Sequence, residues 1–171
     1  YLHQIGGLYG TSKNNVSEFY DLKVADTFFS WGGFYKSKKV RKIKSEYLKL
    51  LENLNIDNKL GKYITIILAN LNFNYKDLSS RLQPSDNFKY THNMLYLIKK
   101  LKKSNIKNFK IKNYPNPINF YLIDVLKKKK VNKIFTNKNF YETINESKLI
   151  ISTYNSTTFL ELITINRPCL I

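Results

Sequence analysis

An α/β fold built on a parallel sheet is predicted by three features of the sequence. Tyr63 to Ala69 (YITIILA) is an unbroken apolar run, the mark of a strand buried on both faces. From there onward, strand-like and helix-like segments alternate at lengths that suit right-handed crossovers. A further apolar strand, Leu149 to Thr153, runs through a hydroxyl-rich turn directly into a helix. Together they predict a Rossmann-like sheet.

Residues 1–35 open with a short apolar lead-in. Gly6-Gly7-Leu8-Tyr9-Gly10 follows, a glycine-rich loop whose backbone can approach a ligand closely. A helix is predicted over Val16 to Val24, with Phe19, Leu22 and Tyr20 turned inward. Thr27 to Trp31 reads as a strand, closed by Gly32-Gly33. This stretch is expected to end one half of the protein. Residues 36–60 hold a basic run, Lys36 to Lys44, and an amphipathic stretch of Tyr47, Leu48, Leu50, Leu51 and Leu54. They are expected to be a linker containing a helix.

Residues 61–171 are expected to form the second half. After the strand Tyr63 to Ala69, the polar segment Asn70 to Asn87 reads as a long connection of the kind often used for ligands. A helix is predicted from Phe88 to Lys103, with Phe88, Leu95, Ile98 and Leu101 on its inner face. Phe109 to Ile111 is a strand ended by Tyr114-Pro115. Asn119 to Lys129 is a helix with Tyr121, Leu122, Val125 and Leu126 inward. Then come a short strand at Lys133 to Thr136, a helix at Phe140 to Ser147, the strand Leu149 to Thr153 and a helix at Thr158 to Ile165. Pro168 leads into a last strand that stops in mid-run at Ile171. The chain starts at Tyr1 and its only methionine is Met94. Both ends are therefore expected to be truncations.

Composition narrows the classes. Hydrophobic residues make up 43% and aromatic residues 15%, a globular rather than a disordered balance. No apolar run reaches the ~18–20 residues of a membrane span. The single cysteine, Cys169, excludes an internal disulfide framework and fits a reducing, cytoplasmic compartment. The net charge of +17 raises the possibility of a nucleic-acid-binding module. The lysines, however, are spread along helix faces, as in Lys99 to Lys103 and Lys127 to Lys130, and no aromatic-and-basic platform accompanies them. No specific nucleic acid partner is expected; attraction to an anionic membrane surface is. Two histidines and one cysteine cannot make a zinc site with ordinary ligand spacing, and the glycine loop lacks the Gly-Lys-Ser/Thr ending of a P-loop. No metal or resident cofactor is expected.

The chemistry concentrates in Leu149 to Ile171. The turn Asn155-Ser156-Thr157-Thr158 presents hydroxyls and the free N–H groups of a helix start, which suit phosphate. In an open α/β sheet such a turn lies at the carboxyl edge, where ligands bind. A simpler reading is that the hydroxyls only cap the helix, with Thr158 and Glu161 at capping-box spacing.

The order of residues here resembles the donor-binding motif of GT-B-fold glycosyltransferases and their relatives, the UDP-sugar 2-epimerases and glycerophosphate polymerases. The resemblance implies that Ser156, Thr157 and Thr158, with Asn155, face a donor diphosphate, and that Glu161 accepts hydrogen bonds from the donor ribose. A second match lies at the other end. Gln4-Ile5-Gly6-Gly7-Leu8-Tyr9-Gly10, then Glu18, then Ala25-Asp26-Thr27-Phe28-Phe29-Ser30-Trp31-Gly32, resembles transferases of bacterial surface-polysaccharide loci. There the pattern is Gln-His-Gly-Gly-x-Tyr-Gly, an acidic helix, and Ala-Asp-x-Phe-x-x-Trp-Gly. By this resemblance the fold is a partial GT-B architecture. Gly6 and Gly7 would approach the donor, and His3 and Glu18 would be the candidate catalytic residues. Where the family has His, this chain has Ile5, with His3 two positions earlier on the same strand face. The family's Arg after the third strand is missing, and Lys110 or Lys112 is the cation available there.

The resemblance implies transfer of a sugar, or a sugar-like group, from a nucleotide-activated donor to a glycan or lipid-linked acceptor. The enzyme would work in the cytoplasm, peripherally at the inner face of the membrane. A UDP-sugar 2-epimerase-like enzyme is the alternative within the same motif.

Overall fold

The computed structural model describes residues 1–171 except 5, 7, 8, 12–14, 33–36, 54, 55, 57, 58, 70–83, 105, 107, 114–119, 130–134 and 155. The described chain is α/β and divides into two compact units, each with its own parallel sheet. The first unit takes Tyr1–Asn55 and, from far along the chain, Asn155–Arg167; the second takes most of what lies between, with Pro168–Ile171.

The sheet of the first unit has three strands: β1 (Leu2–His3), β2 (Phe28–Ser30) and β3 (Val40–Lys42), parallel in the order β1-β2-β3. Helix α1 (Val16–Val24) links β1 to β2, and α2 (Glu46–Glu52) follows β3. Asn15 caps α1 by accepting from the Glu18 N–H at 3.2 Å, and Ser45 caps α2 by accepting from the Leu48 N–H at 3.3 Å. Strand β3 falls inside the basic run expected to be linker. Its Arg41 and Lys42 are exposed at a sheet edge, where charge blocks further pairing.

Helix α1 also corrects the expected packing. Phe19 and Tyr20 are exposed, whereas Glu18 is buried and Leu22 packs against the small core of Tyr9, Ala25 and Phe28. The inward face was set by a polar partner for Glu18 rather than by apolar periodicity.

In the second unit, β4 (Tyr63–Ile67), β5 (Phe109–Lys112), β6 (Phe135–Thr136), β7 (Ser147–Ser152) and β8 (Cys169–Leu170) form one sheet in the order β6-β5-β4-β7-β8. Every pairing is parallel, as the apolar runs predict. The chain steps from β4 outward through β5 and β6, then crosses to the other side of β4 at β7. The switch point thus falls between β4 and β7, where open sheets of this kind form their ligand crevice. A register shift after Tyr63 leaves Lys148 as an extra residue in β7, a bulge at the start of that pairing. At the same point Gly61 passes so close to the main chain that a methyl group would overlap the Glu146 carbonyl and the Ser147 nitrogen.

Helices α3 (Asn87–Lys103), α4 (Phe120–Lys128) and α5 (Phe140–Asn145) belong to this unit, with a single 3-10 turn, Pro84–Asp86, ahead of α3. Its core joins Ile64, Ile66 and Leu68 to Phe109, Ile111, Leu122 and Leu126, and to Tyr90, Met94 and Ile98 of α3. Fully burying a side chain such as Leu122 or Leu126 contributes about 1.5–3 kcal/mol. Phe88, expected inward, is exposed; the buried stripe of α3 runs through Asn87, Tyr90, Thr91, Met94 and Ile98, spacings of three and four that leave Phe88 outside. The connection expected over Asn70 to Asn87 lies largely outside the described residues, as does Tyr114-Pro115.

Helix α6 (Thr157–Thr164) belongs to the first unit and packs on α2. It ends in a Schellman turn. The Arg167 N–H donates to Leu162 O at 2.8 Å and the Asn166 N–H to Ile163 O at 3.0 Å, with Asn166 at a left-handed φ of 54°. Among the described residues no helix is long and apolar enough to cross a membrane.

Candidate functional site

Two segments far apart in sequence meet in the first unit. The first is the glycine loop after β1. As the chain leaves β1, the Gln4 N–H donates to Phe29 O at 2.8 Å, and the Gln4 side chain turns in and is buried. Its Oε1 accepts from the Trp31 N–H at 3.0 Å, and its Nε2 donates to Gly6 O at 2.8 Å. The Ser30 hydroxyl stands 3.1 Å from the same Oε1. One buried amide thereby ties the start of the loop to the end of β2.

The far end of the loop is held by α1. Gly10 has φ of 72°, a conformation that excludes most side chains. Its N–H points at both carboxylate oxygens of Glu18, each 3.0 Å away. Tyr9 stacks on Phe28 with ring centroids 5.8 Å apart and donates to Asp21 Oδ2 at 2.6 Å. Glu18 also lies in the first turn of α1, where the helix dipole favours negative charge. The geometry gives Glu18 the task of anchoring the loop. His3 is exposed on β1, with Nδ1 3.0 Å from Gln4 O.

The second segment is the start of α6. Ser156 is the N-cap, and its hydroxyl accepts from the Thr158 N–H at 3.2 Å. Thr157 is therefore the first helical residue and Glu161 the fifth. That placement corrects the capping-box expectation: Glu161 is two positions too far along to close such a box. Its Oε1 instead accepts from the Tyr47 hydroxyl at 2.9 Å. Burial raises the Glu161 carboxyl above its ordinary value of 4.5, and the Tyr47 bond works against that rise.

The two segments approach each other at Gly6 and Thr157. A methyl group on Gly6 would lie 3.7 Å from Thr157 Oγ1, in ordinary contact. The glycine loop and the hydroxyl turn thus share one locality, with Ser156, Thr157, Thr158 and Glu161 all half-buried there. Gly7 and Asn155, also expected at the site, lie outside the described residues.

In the second unit the ends of β4 and β7 are laced to α3. The Ala69 N–H donates to the Tyr90 hydroxyl at 2.8 Å, and that hydroxyl lies 2.6 Å from Thr153 Oγ1. Thr153 Oγ1 in turn donates to Ile67 O at 2.8 Å. Burial raises the Tyr90 phenol above its ordinary value. Close by on α3, the Asn87 amide and the Thr91 hydroxyl are buried with no hydrogen-bond partner among the described residues. Lys110, a cation expected to stand in for the missing Arg, is ion-paired with Glu146 and sits 3.9 Å from the Tyr63 ring centroid. Lys112 donates to Lys138 O, and its partial burial lowers its ammonium pKa. Among the described residues no group of acidic, His or Cys side chains is placed to hold a metal ion.

Sequence reasoning did not single out Tyr47, which it took for one apolar position of an amphipathic stretch. It assigned Asp21 no part in the site, and it quoted Gln4 only as part of a motif. No local pattern announces these three, because their partners lie elsewhere in the chain.

A family model described as LIC12162 family transferase matches residues 1–171, and the chain belongs to that family. No curated protein and no solved structure matches it.

Proposed function

We propose that this LIC12162 family transferase moves a sugar, or a sugar-like group, from a nucleotide donor to a surface glycan or lipid-linked acceptor, with a GT-B-type architecture. Ser156, Thr157 and Thr158 take the donor diphosphate, Glu161 takes the ribose hydroxyls, and the Gly6 backbone closes over the diphosphate. The reading rests on one observation above the rest: Gly6 and Thr157 come within van der Waals reach although the chain separates them widely. A glycine beside a helix start leaves room for a ligand, and the helix start supplies N–H donors to it. The position of Glu161 adds support. It lies too far from the cap to serve it, and its second oxygen is available to a ligand hydroxyl. The net charge of +17 favours approach to anionic donors and to an anionic membrane surface carrying the acceptor.

Calorimetric titration of UDP, CDP and GDP into the protein tests the reading. One diphosphate should bind, and Thr157→Val and Glu161→Gln should each weaken it by on the order of tenfold, or ~1.4 kcal/mol. Unchanged affinity in both variants, with the fold intact, would reduce the turn to a capped helix.

A further inference from the structure

We infer that Tyr47 is a positioning residue for Glu161: it fixes the orientation of the carboxylate and favours its ionised form, the form that accepts hydrogen bonds from the hydroxyls of a nucleotide ribose. The inference rests on the nucleotide reading above and adds a residue that the donor motif itself does not contain.

The geometry begins with α2. Ser45 is buried and caps the helix, and Leu51 is buried on the side of α2 that faces inward. Tyr47 stands four residues before Leu51, so the two share a face. That face includes the surface packed on α6, where Glu161 lies. Leu51 anchors the helix and Tyr47 extends along it, bringing its hydroxyl 2.9 Å from Glu161 Oε1. The ring is part-exposed, so the tyrosine is not needed to fill the core.

The chemistry follows from what a phenol can do. A hydroxyl donating to one carboxylate oxygen stabilises the ionised form and leaves the other oxygen for a ligand. A carboxylate receives stronger hydrogen bonds from ribose hydroxyls than a neutral carboxyl does. Burial of Glu161 pushes the other way, toward the neutral acid, and the Tyr47 bond is the opposing influence. Tyr47 is the titratable group that faces Glu161 from α2, the helix packed on α6.

The sign of the pH effect is fixed by this. Ligand bound to ionised Glu161 is lost as pH falls through the carboxyl pKa. Removing the phenol hydroxyl raises that pKa, so the loss should begin at a higher pH. A residue that merely braced α2 against α6 would lower affinity equally at every pH.

The experiment uses the full chain, wild type beside Tyr47→Phe. Carboxyl-detected NMR follows the Glu161 titration without ligand, and calorimetry follows UDP, CDP and GDP binding between pH 5 and pH 8. We expect the Glu161 titration to move to higher pH in Tyr47→Phe. Diphosphate affinity should fall by about three- to tenfold at the lower end of the range and by less at pH 8. An unmoved Glu161 titration overturns the inference. A moved titration with unchanged affinity at every pH overturns the positioning role, while the nucleotide reading stands. A wild-type chain that binds none of the three diphosphates overturns the nucleotide reading and this inference with it.

Discussion

Both carboxylate oxygens of Glu18 lie 3.0 Å from the backbone nitrogen of Gly10, so a single buried acid holds the far end of the glycine loop. Glu18→Ala would leave that N–H without its charged partner. The expected loss is about 1.5–3 kcal/mol of stability, the range for hydrogen bonds to charged groups. Glu18→Gln retains an acceptor and should lose about half as much. Chemical denaturation of the three proteins checks this. If Glu18→Gln keeps its stability and loses all transferase turnover, Glu18 acts on substrate rather than on the loop.

Glu161→Gln should have a pH-dependent effect on stability that opposes its effect on ligand binding. The folded carboxyl has a pKa raised by burial, so the folded state holds the proton more tightly than the unfolded chain does. Stability then falls as pH rises from the unfolded value toward and through the raised one, because the charged form is disfavoured in the fold. Gln carries no such charge. The variant should be more stable than wild type at pH 7, and the gain should fade below about pH 4. Thermal melts at both pH values read the fading gain; a destabilised variant at pH 7 contradicts the direction.

Gly61→Ala should be among the most damaging single changes in the second unit. The added methyl would collide with main-chain atoms of Glu146 and Ser147, which cannot swing aside as the end of a side chain can. The Gly61 N–H also donates to Ser147 O at 3.2 Å, so relief of the clash would break this bond and loosen the start of the β4–β7 pairing. A loss above about 3 kcal/mol is expected. A soluble, cooperatively melting variant within ~1 kcal/mol of wild type would contradict it.

Thr91→Val removes a buried hydroxyl that has no partner among the described residues and keeps the shape of the side chain. Such an exchange should be neutral or stabilising by about 1 kcal/mol, because the desolvation cost of the unpaired group disappears. Denaturant midpoints at equal m-value decide the sign. Marked destabilisation would mean that Thr91 is hydrogen-bonded in solution.

The second sheet was legible in the sequence because its strands carry their burial openly. YITIILA and LIIS are apolar without alternation, and only a strand covered on both faces tolerates that. Strand β3 was not legible, since Val40-Arg41-Lys42 offers one apolar residue and its place at a sheet edge asks for no more. Helix α1 misled for a different reason. Its most buried side chain is Glu18, whose partner is a backbone N–H in a preceding loop, and no periodicity rule anticipates that. Glu161 was found by motif, yet its partner is 114 residues away, and only the fold brings Tyr47 to it. Thr158 was read as the cap, two residues beyond the actual cap Ser156, and that shift made Glu161 look like part of a capping box.

Helix α6 also sets an order of assembly. Ribosomal synthesis delivers β1, α1, β2, β3 and α2 early, and α6 only after β4 through β7 have been made. At ~5–20 residues per second, the roughly 100 residues between α2 and α6 take on the order of 5–20 s to appear. For that interval the nascent first unit has its sheet but lacks the helix that packs on α2, so the surface of α2 that receives α6 is open to chaperones or to wrong partners. Ribosome-stalled chains ending before and after α6 should therefore differ in protease resistance within Tyr1–Asn55, a segment whose own sequence is the same in both.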